Sequence, residues 1–291
     1  MRRRTRKSAP AAVLLLAAAG AIAVLSCSTP GPASKPEEIA ALRRASIRAT
    51  AEPPEAETPS LSYLHAGKPD DPRLIYIHGT PGSAEAWADF LTSPVPGFES
   101  IAVDRLGFGQ SKDSRGGRSG VDSFQEQADA IAPLLVERDG HWPILVGHSL
   151  GGPIAARLAT MYPERVRGLI IVAGSLDPAQ EKPGLGQAVA TTDFIRFFLP
   201  QTLDNSMGEL AAAKKQTELL APELSKITCP VIVIHGASDQ LVPYANVDYI
   251  TKMLTNAKSV SVVRLDKQGH FVPWERPEAI RNAVAELGAS R

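Results

Sequence analysis

Short apolar segments alternate with longer amphipathic segments along most of the chain after residue 60. The apolar segments consist mainly of Ile, Val and Leu and are bounded by Gly, Pro or Asp, a pattern typical of strands buried on both faces of a parallel sheet. They cover residues 61–66, 74–77, 101–103, 144–146, 169–172, 231–234 and 260–265.

The segments between these strands show helical periodicity. They cover residues 84–91, 123–138, 153–162, 247–254 and 277–287. Alternation of strands and helices predicts an α/β fold with a mostly parallel, doubly wound sheet.

One connection is much longer than an ordinary crossover between parallel strands. Residues 177–222 are therefore predicted to form a short helical cap insertion, with a helix over 204–220. The insertion contains Phe194, Phe197 and Phe198. These rings either pack the insertion onto the body of the protein or line an apolar substrate pocket, and packing is the commoner role of a single Phe.

The first 58 residues differ from the rest. Residues 1–26 have a basic start, an apolar stretch and then small residues, which predicts a signal peptide, with a short uncleaved membrane anchor as the alternative. The sequence Val24-Leu25-Ser26-Cys27 resembles the acylation site of bacterial lipoproteins. We therefore expect an exported protein, anchored through acylated Cys27 to the periplasmic or extracellular face of a bacterial membrane. Loss of membrane association in Cys27→Ala would separate this expectation from an unlipidated secreted protein.

Residues 27–58 are rich in Pro, Ser, Ala and Glu and are predicted to be a flexible tether, so the folded domain is expected to cover 59–291. The formal net charge of +0 and the lack of a basic stripe argue against a nucleic-acid partner. No group of His, Asp and Glu has the spacing of metal ligands, so we expect neither a metal nor a cofactor.

The sequence Gly147-His148-Ser149-Leu150-Gly151 directly follows a predicted strand and precedes a predicted helix. In this context the G-x-S-x-G pattern predicts a sharp turn that exposes a nucleophilic serine, Ser149, at a helix N-terminus. The alternative is a glycine-rich connection with a capping serine.

A serine nucleophile needs a base and an acid that orients the base. His270 lies in the loop after the last predicted strand, where it reaches the carboxyl edge of the sheet. Asp239, in the loop after strand 231–234, is the preferred acid, and Asp177 is the alternative. The order Ser149, Asp239, His270 matches the order of one hydrolase architecture.

An oxyanion hole requires two N–H donors. The N–H of Leu150 is the first candidate, because it follows the nucleophile. The second candidate is Thr80 in the loop 78–83, where Gly79 and Gly82 allow a substrate to approach the backbone and Pro81 has no N–H. The same loop also reads as a turn with Ser83 as a helix N-cap.

From about residue 60 to 288 the chain resembles the α/β-hydrolase fold superfamily. The resemblance rests on the segments 78–82 and 104–111, the turn around Ser149, and the loops that carry Asp239 and His270. It implies a serine hydrolase in which segment 104–111 organises the oxyanion region and the insertion 177–222 takes the place of a cap domain.

We expect hydrolysis of a small-molecule carboxylic ester through an acyl-enzyme. The same triad could act on a lactone, a thioester, an amide or a C–C bond, or transfer an acyl group. A ligand-binding module with vestigial activity is the alternative from another class.

Overall fold

The computed structural model describes residues 30–48, 59–112, 121–181 and 200–289. The chain divides into the units 1–31 and 32–291, and the second unit carries the fold described here. No helix in the described ranges is both long and apolar enough to cross a bilayer. The predicted signal peptide, Cys27 and the three Phe residues of the insertion lie outside the described residues.

The described part of unit 32–291 contains one eight-stranded sheet with the order β1-β2-β4-β3-β5-β6-β7-β8. The strands are β1 Arg43–Arg48, β2 Ser60–Ala66, β3 Arg73–Ile77, β4 Glu99–Val103, β5 Ile144–His148, β6 Gly168–Val172, β7 Val231–Gly236 and β8 Val260–Leu265. Strand β2 pairs antiparallel with β1 and β4, and all other pairs are parallel. The predicted α/β fold with a mostly parallel sheet is confirmed.

Helices cover both faces of this sheet. They are α1 Pro36–Ala40, α2 Ala88–Thr92, α3 Phe124–Ile131, α4 Gly151–Met161, α5 Gln201–Leu220, α6 Ala245–Met253, α7 Val272–Glu275 and α8 Pro277–Ala289. Residues of α3, α4 and α6 pack in one apolar cluster, and residues of α2 and α8 pack in another. Each of the strands β2 to β8 contributes to both clusters: in β3, Ile75 and Ile77 face the first, and Leu74 and Tyr76 face the second. The continuous apolar strands of the sequence are therefore explained by burial on both faces.

The structure differs from the predicted tether over part of residues 27–58. Strand β1 pairs with β2 and places Arg44 opposite Leu64. The Arg44 guanidinium also donates to Asp104 Oδ2 at 2.5 Å. The strand has the sequence RRASIR and lies at the sheet edge, where it has one neighbour and exposed Arg side chains. Edge strands often carry charge, so an apolar pattern does not reveal them.

The predicted helix over 123–138 is shorter in the structure. Helix α3 ends at Ile131 and a 3-10 turn follows over Ala132–Leu134. Pro133 lies in this turn. Proline lacks the N–H needed for the next helical hydrogen bond and crowds the preceding turn, which accounts for the early end.

Candidate active site

Ser149 occupies the turn between β5 and α4 with a φ of 54°. This left-handed conformation is uncommon for residues other than glycine and indicates a backbone held by its surroundings. The Ser149 N–H donates to Val172 O at 2.9 Å, and Ser149 O accepts from Gly152 N at 2.9 Å. These bonds hold the serine at the carboxyl end of β5, directly before the N-terminus of α4.

The glycines of this turn are required by close backbone contacts. A Cβ atom at Gly147 would lie 2.3 Å from Gly151 O, and one at Gly151 would lie 2.3 Å from Ile77 O. Both distances are far below van der Waals contact, and both contacted atoms are backbone oxygens. The G-x-S-x-G pattern thus reflects the packing of α4 against β3 and β5.

The structure brings two of the predicted side chains into contact at the same edge of the sheet. His270 Nδ1 lies 2.8 Å from Asp239 Oδ2. The other oxygen of Asp239 accepts from the N–H groups of Leu241 at 2.9 Å and Val242 at 2.8 Å. The carboxyl of Asp177, the alternative acid, instead accepts from Ala179 N at 2.9 Å.

Two opposing effects act on Asp239. Burial raises the pKa of its carboxyl, but the hydrogen bond and charge of His270 and the N–H groups of Val242 and Leu241 lower it. The net result is a pKa below the ordinary value, so Asp239 is ionised at neutral pH. An ionised carboxylate only accepts hydrogen bonds, so the proton of neutral His270 sits on Nδ1 and leaves Nε2 as an acceptor.

His148, next to Ser149 in the chain, connects the turn to His270. Its Nε2 donates to His270 O at 3.1 Å, and the two rings have centroids 4.9 Å apart. The ring of Trp274 meets His148 edge-on at 5.5 Å. Burial lowers the pKa of His148 to about 3, so its ring is neutral at ordinary pH.

Two further histidines at this edge are buried. His78 Nε2 accepts from Arg105 N at 3.1 Å, which places its proton on Nδ1, 2.7 Å from Gly79 O. His235 Nε2 donates to Val242 O at 3.0 Å and lies 3.6 Å from Asp239 Oδ2. Burial lowers the pKa of both histidines, that of His78 well below the ordinary range.

Because these three histidines are buried and neutral, we expect the folded protein to lose stability in mild acid. Below the ordinary histidine pKa of 6.5 the unfolded chain binds protons that folded His148, His78 and His235 do not bind. Stability is therefore full above pH 6.5 and falls as the pH drops. From about pH 7.5 to about pH 5.5 the buried, neutral His148 ring lowers the free energy of unfolding by about 1 kcal/mol, and His78 and His235 act in the same direction.

Urea unfolding at the two pH values tests this expectation. The free energy of unfolding should be lower at the lower pH in the wild type, and His148→Gln should remove about 1 kcal/mol of that difference. The lower pH stays above the range in which Asp239 titrates. An equal pH effect in the wild type and the variant would contradict the assignment to His148.

The predicted oxyanion donors lie beside Ser149. A Cβ atom at Gly79 would lie 2.8 Å from Ser149 Cβ and 3.4 Å from Ser149 Oγ, so the backbone before Thr80 packs against the serine. Leu150 is the N-cap residue of α4. In the described part of the chain neither Thr80 N–H nor Leu150 N–H enters a backbone hydrogen bond. Both donors are thus free of backbone partners there.

Asp104 connects the end of the loop that carries Thr80 to the segment after β4. Its Oδ1 accepts from Ala84 N at 2.7 Å, and its Oδ2 accepts from Gln110 N at 3.0 Å. A Cβ atom at Gly109 would lie 2.2 Å from Asp104 Oδ1. Asp104 therefore organises the segment 104–111. Among the described residues no group of His, Cys, Asp and Glu could hold a metal ion.

The sequence did not reveal several residues that contact the site. The local pattern marks His148 only as part of the serine turn, and it links neither His235 to Asp239 nor Glu209 of α5 to Arg105. These contacts join residues from different loops and from the insertion. A pattern along one segment carries no signal for them.

The comparisons with known proteins agree with this architecture. A family model described as alpha/beta hydrolase fold matches residues 72–226. A 2-hydroxy-6-oxononadienedioate/2-hydroxy-6-oxononatrienedioate hydrolase of Paraburkholderia xenovorans is 25% identical over an alignment of 268 positions, and the match covers 78% of this chain and 90% of that protein. A pimeloyl-[acyl-carrier protein] methyl ester esterase of Nitrosomonas europaea is 27% identical over an alignment of 225 positions, and the match covers 65% of this chain and 86% of that protein.

A solved structure shares the fold. The crystal structure of a bacterial membrane phospholipase A superimposes with a TM-score of 0.62 at 24% identity, over 95% of this chain and 93% of the other. The matched family model covers more than half of the chain, and the relatives above are named as a hydrolase and an esterase. The chain therefore belongs to the alpha/beta hydrolase fold family and is a hydrolase.

Proposed function

We propose that this protein is a serine hydrolase that cleaves a carboxylic ester of a small molecule, with Ser149 as nucleophile, His270 as base and Asp239 as the acid that orients it. The observation that carries the proposal is the 2.8 Å contact between His270 Nδ1 and Asp239 Oδ2. It occurs where His148, the neighbour of Ser149, packs on the His270 ring. The contact with Asp239 uses Nδ1 and leaves Nε2 of His270 for the proton of Ser149, which supports a base beside the half-buried serine turn.

The reaction follows from these roles. His270 Nε2 takes the Ser149 proton as Oγ attacks the ester carbonyl carbon, and Leu150 N–H and Thr80 N–H stabilise the oxyanion. The C–O bond to the alcohol breaks, and His270 passes the proton to that alcohol. Water then attacks the acyl-enzyme, again giving its proton to His270. The acid product leaves and Ser149 regains its hydrogen.

The two relatives described above have different substrates, and the side chains near Ser149 favour an ester over a dicarboxylate. The name of the Nitrosomonas protein describes a methyl ester esterase, whereas the name of the Paraburkholderia protein describes an oxo dicarboxylate. A dicarboxylate would need free cations beside the serine. Arg105, the buried cation next to the loop of Thr80, already donates to His78 O, Gly79 O and Glu209. It therefore has at most one N–H group left for a substrate carboxylate, too few for a two-point contact.

The test is hydrolysis of p-nitrophenyl esters from acetate to palmitate by the full chain, with Ser149→Ala as the blank. We expect release of nitrophenol that depends on Ser149 and is fastest at one acyl length. Analysis of the acid product separates hydrolysis from acyl transfer. Absence of turnover above the blank, in a protein with a cooperative unfolding transition, would contradict the ester hydrolase. Tight ligand binding by such a protein would favour a binding module.

A further inference from the structure

A buried ion pair joins the insertion to the loops of the candidate site. Arg105 follows β4 and is 0% exposed, and Glu209 lies on α5 and is 2% exposed. Arg105 Nη2 donates to Glu209 Oε2 at 3.0 Å, and Arg105 Nη1 contacts Glu209 Oε1. Such a two-point contact fixes the plane of the guanidinium. Nearby, Asn205 Nδ2 of α5 donates to Gly107 O at 2.5 Å.

Two other donors of Arg105 point at the residues before Thr80. Its Nε donates to His78 O at 2.9 Å, and its Nη2 donates to Gly79 O at 2.9 Å. The guanidinium carbon also lies 4.6 Å above the centre of the Phe108 ring. One side chain thus holds two consecutive carbonyl groups of the loop.

The Gly79 carbonyl matters because it shares a peptide plane with Thr80 N–H. Gly79 O accepts from Arg105 Nη2 and from His78 Nδ1. In a planar trans peptide the C=O and N–H bonds point in opposite directions, so fixing the carbonyl also aims the N–H. Hydrogen bonds to the carbonyl further polarise that N–H.

We propose that Glu209 is a positioning residue for the oxyanion hole: by holding Arg105, it fixes the Gly79–Thr80 peptide, so that helix α5 of the insertion completes the site. This inference rests on the proposed ester hydrolysis. Without Glu209 the buried guanidinium lacks its counter-charge and must find other acceptors or water. Its bonds to His78 O and Gly79 O are then no longer enforced.

The test is Glu209→Gln in the full chain, assayed with the best p-nitrophenyl ester. We expect kcat to fall about 10- to 100-fold with KM nearly unchanged, because the lost interaction acts on the transition state. Affinity for phenylboronic acid, whose tetrahedral serine adduct uses the oxyanion hole, should fall by a similar factor. Affinity for the p-nitrophenyl alkyl ether of equal length, which has no carbonyl, should stay the same.

The chain offers a matched control at the other end of β4. Arg73 Nε donates to Glu99 Oε2 at 2.7 Å, and Arg73 Nη1 donates to Leu134 O at 3.0 Å. This pair is also buried and also holds a backbone carbonyl. Glu99→Gln should therefore lower Tm as Glu209→Gln does, while kcat and the affinity for phenylboronic acid stay at wild-type values.

A second variant tests the role of Glu209 if Glu209→Gln does not fold. Arg105→Met/Glu209→Leu removes both charges, so no unpaired ion is buried, and it also removes the donors to His78 O and Gly79 O. The same selective loss of kcat and of boronic acid affinity is expected. Wild-type values in whichever of these variants folds would overturn the role of Glu209. Absence of Ser149-dependent turnover in the wild type would instead overturn the proposed function.

Discussion

Ser149→Ala is expected to lower kcat for the best ester by about 10⁴- to 10⁶-fold, and His270→Ala by a similar factor. The reason is that the two side chains act in one step. His270 can activate only a nucleophile that is present, and the Ser149 hydroxyl is weak without its base. The double variant should therefore be hardly slower than either single variant. The residual rate would come from binding and from the N–H groups of Leu150 and Thr80.

Single-turnover and steady-state kinetics on the three variants measure this effect, and urea unfolding shows that each one is folded. His141→Ala is a control for loss of a histidine, because His141 pairs with Arg138 in an isolated bridge away from Asp239. Losses that multiply in the double variant would mean that Ser149 and His270 contribute independently. That outcome would rule out the shared proton transfer.

Gly151→Ala is expected to destabilise the folded state by about 4 kcal/mol or more, enough to unfold much of the protein. The new Cβ would lie 2.3 Å from Ile77 O and 2.7 Å from His78 O. Both are backbone oxygens at the end of the central strand β3. Neither can move without separating β3 from α4. The gain in helix propensity of about 1 kcal/mol from Gly to Ala is far too small to offset this clash.

Gly269→Ala is the matched control. It lies next to His270, but a Cβ there would meet nothing within 4 Å. Urea unfolding should give a free energy within about 0.5 kcal/mol of the wild type for this variant. If Gly151→Ala unfolded at a similar urea concentration to Gly269→Ala, the close packing of α4 on β3 would be refuted.

The fold could be predicted because its strands are buried on both faces. Continuous apolar runs such as Ile144–Val146 and Val231–Ile234 leave few alternatives to a covered parallel sheet. The structure extends these strands by one or two residues. Strand β1 was missed because its single neighbour allows polar residues such as Arg43 and Arg48 on an exposed edge.

The candidate site was also predictable only in part. Ser149, Asp239 and His270 could be named because each follows a strand, and the carboxyl ends of parallel strands meet at one edge. The contact between Asp239 and His270 lies across the loops that follow β7 and β8, so neighbouring strands explain it. Their roles in catalysis, and the roles of Thr80 and Leu150, stay predictions until the variants are assayed. So do the acylation of Cys27 and the pocket of Phe194, Phe197 and Phe198.

The sequence by itself determined the class of fold, the family and the residues from which a serine hydrolase would be built, because these follow from periodicity and from short local motifs. Only the tertiary structure decided which side chains hold that site together. Arg105 and Glu209 are 104 residues apart and meet because α5 packs over the loop after β4. His148 reaches His270 across a separation of 122 residues. Such pairs are fixed by packing of distant elements, and no local pattern encodes them.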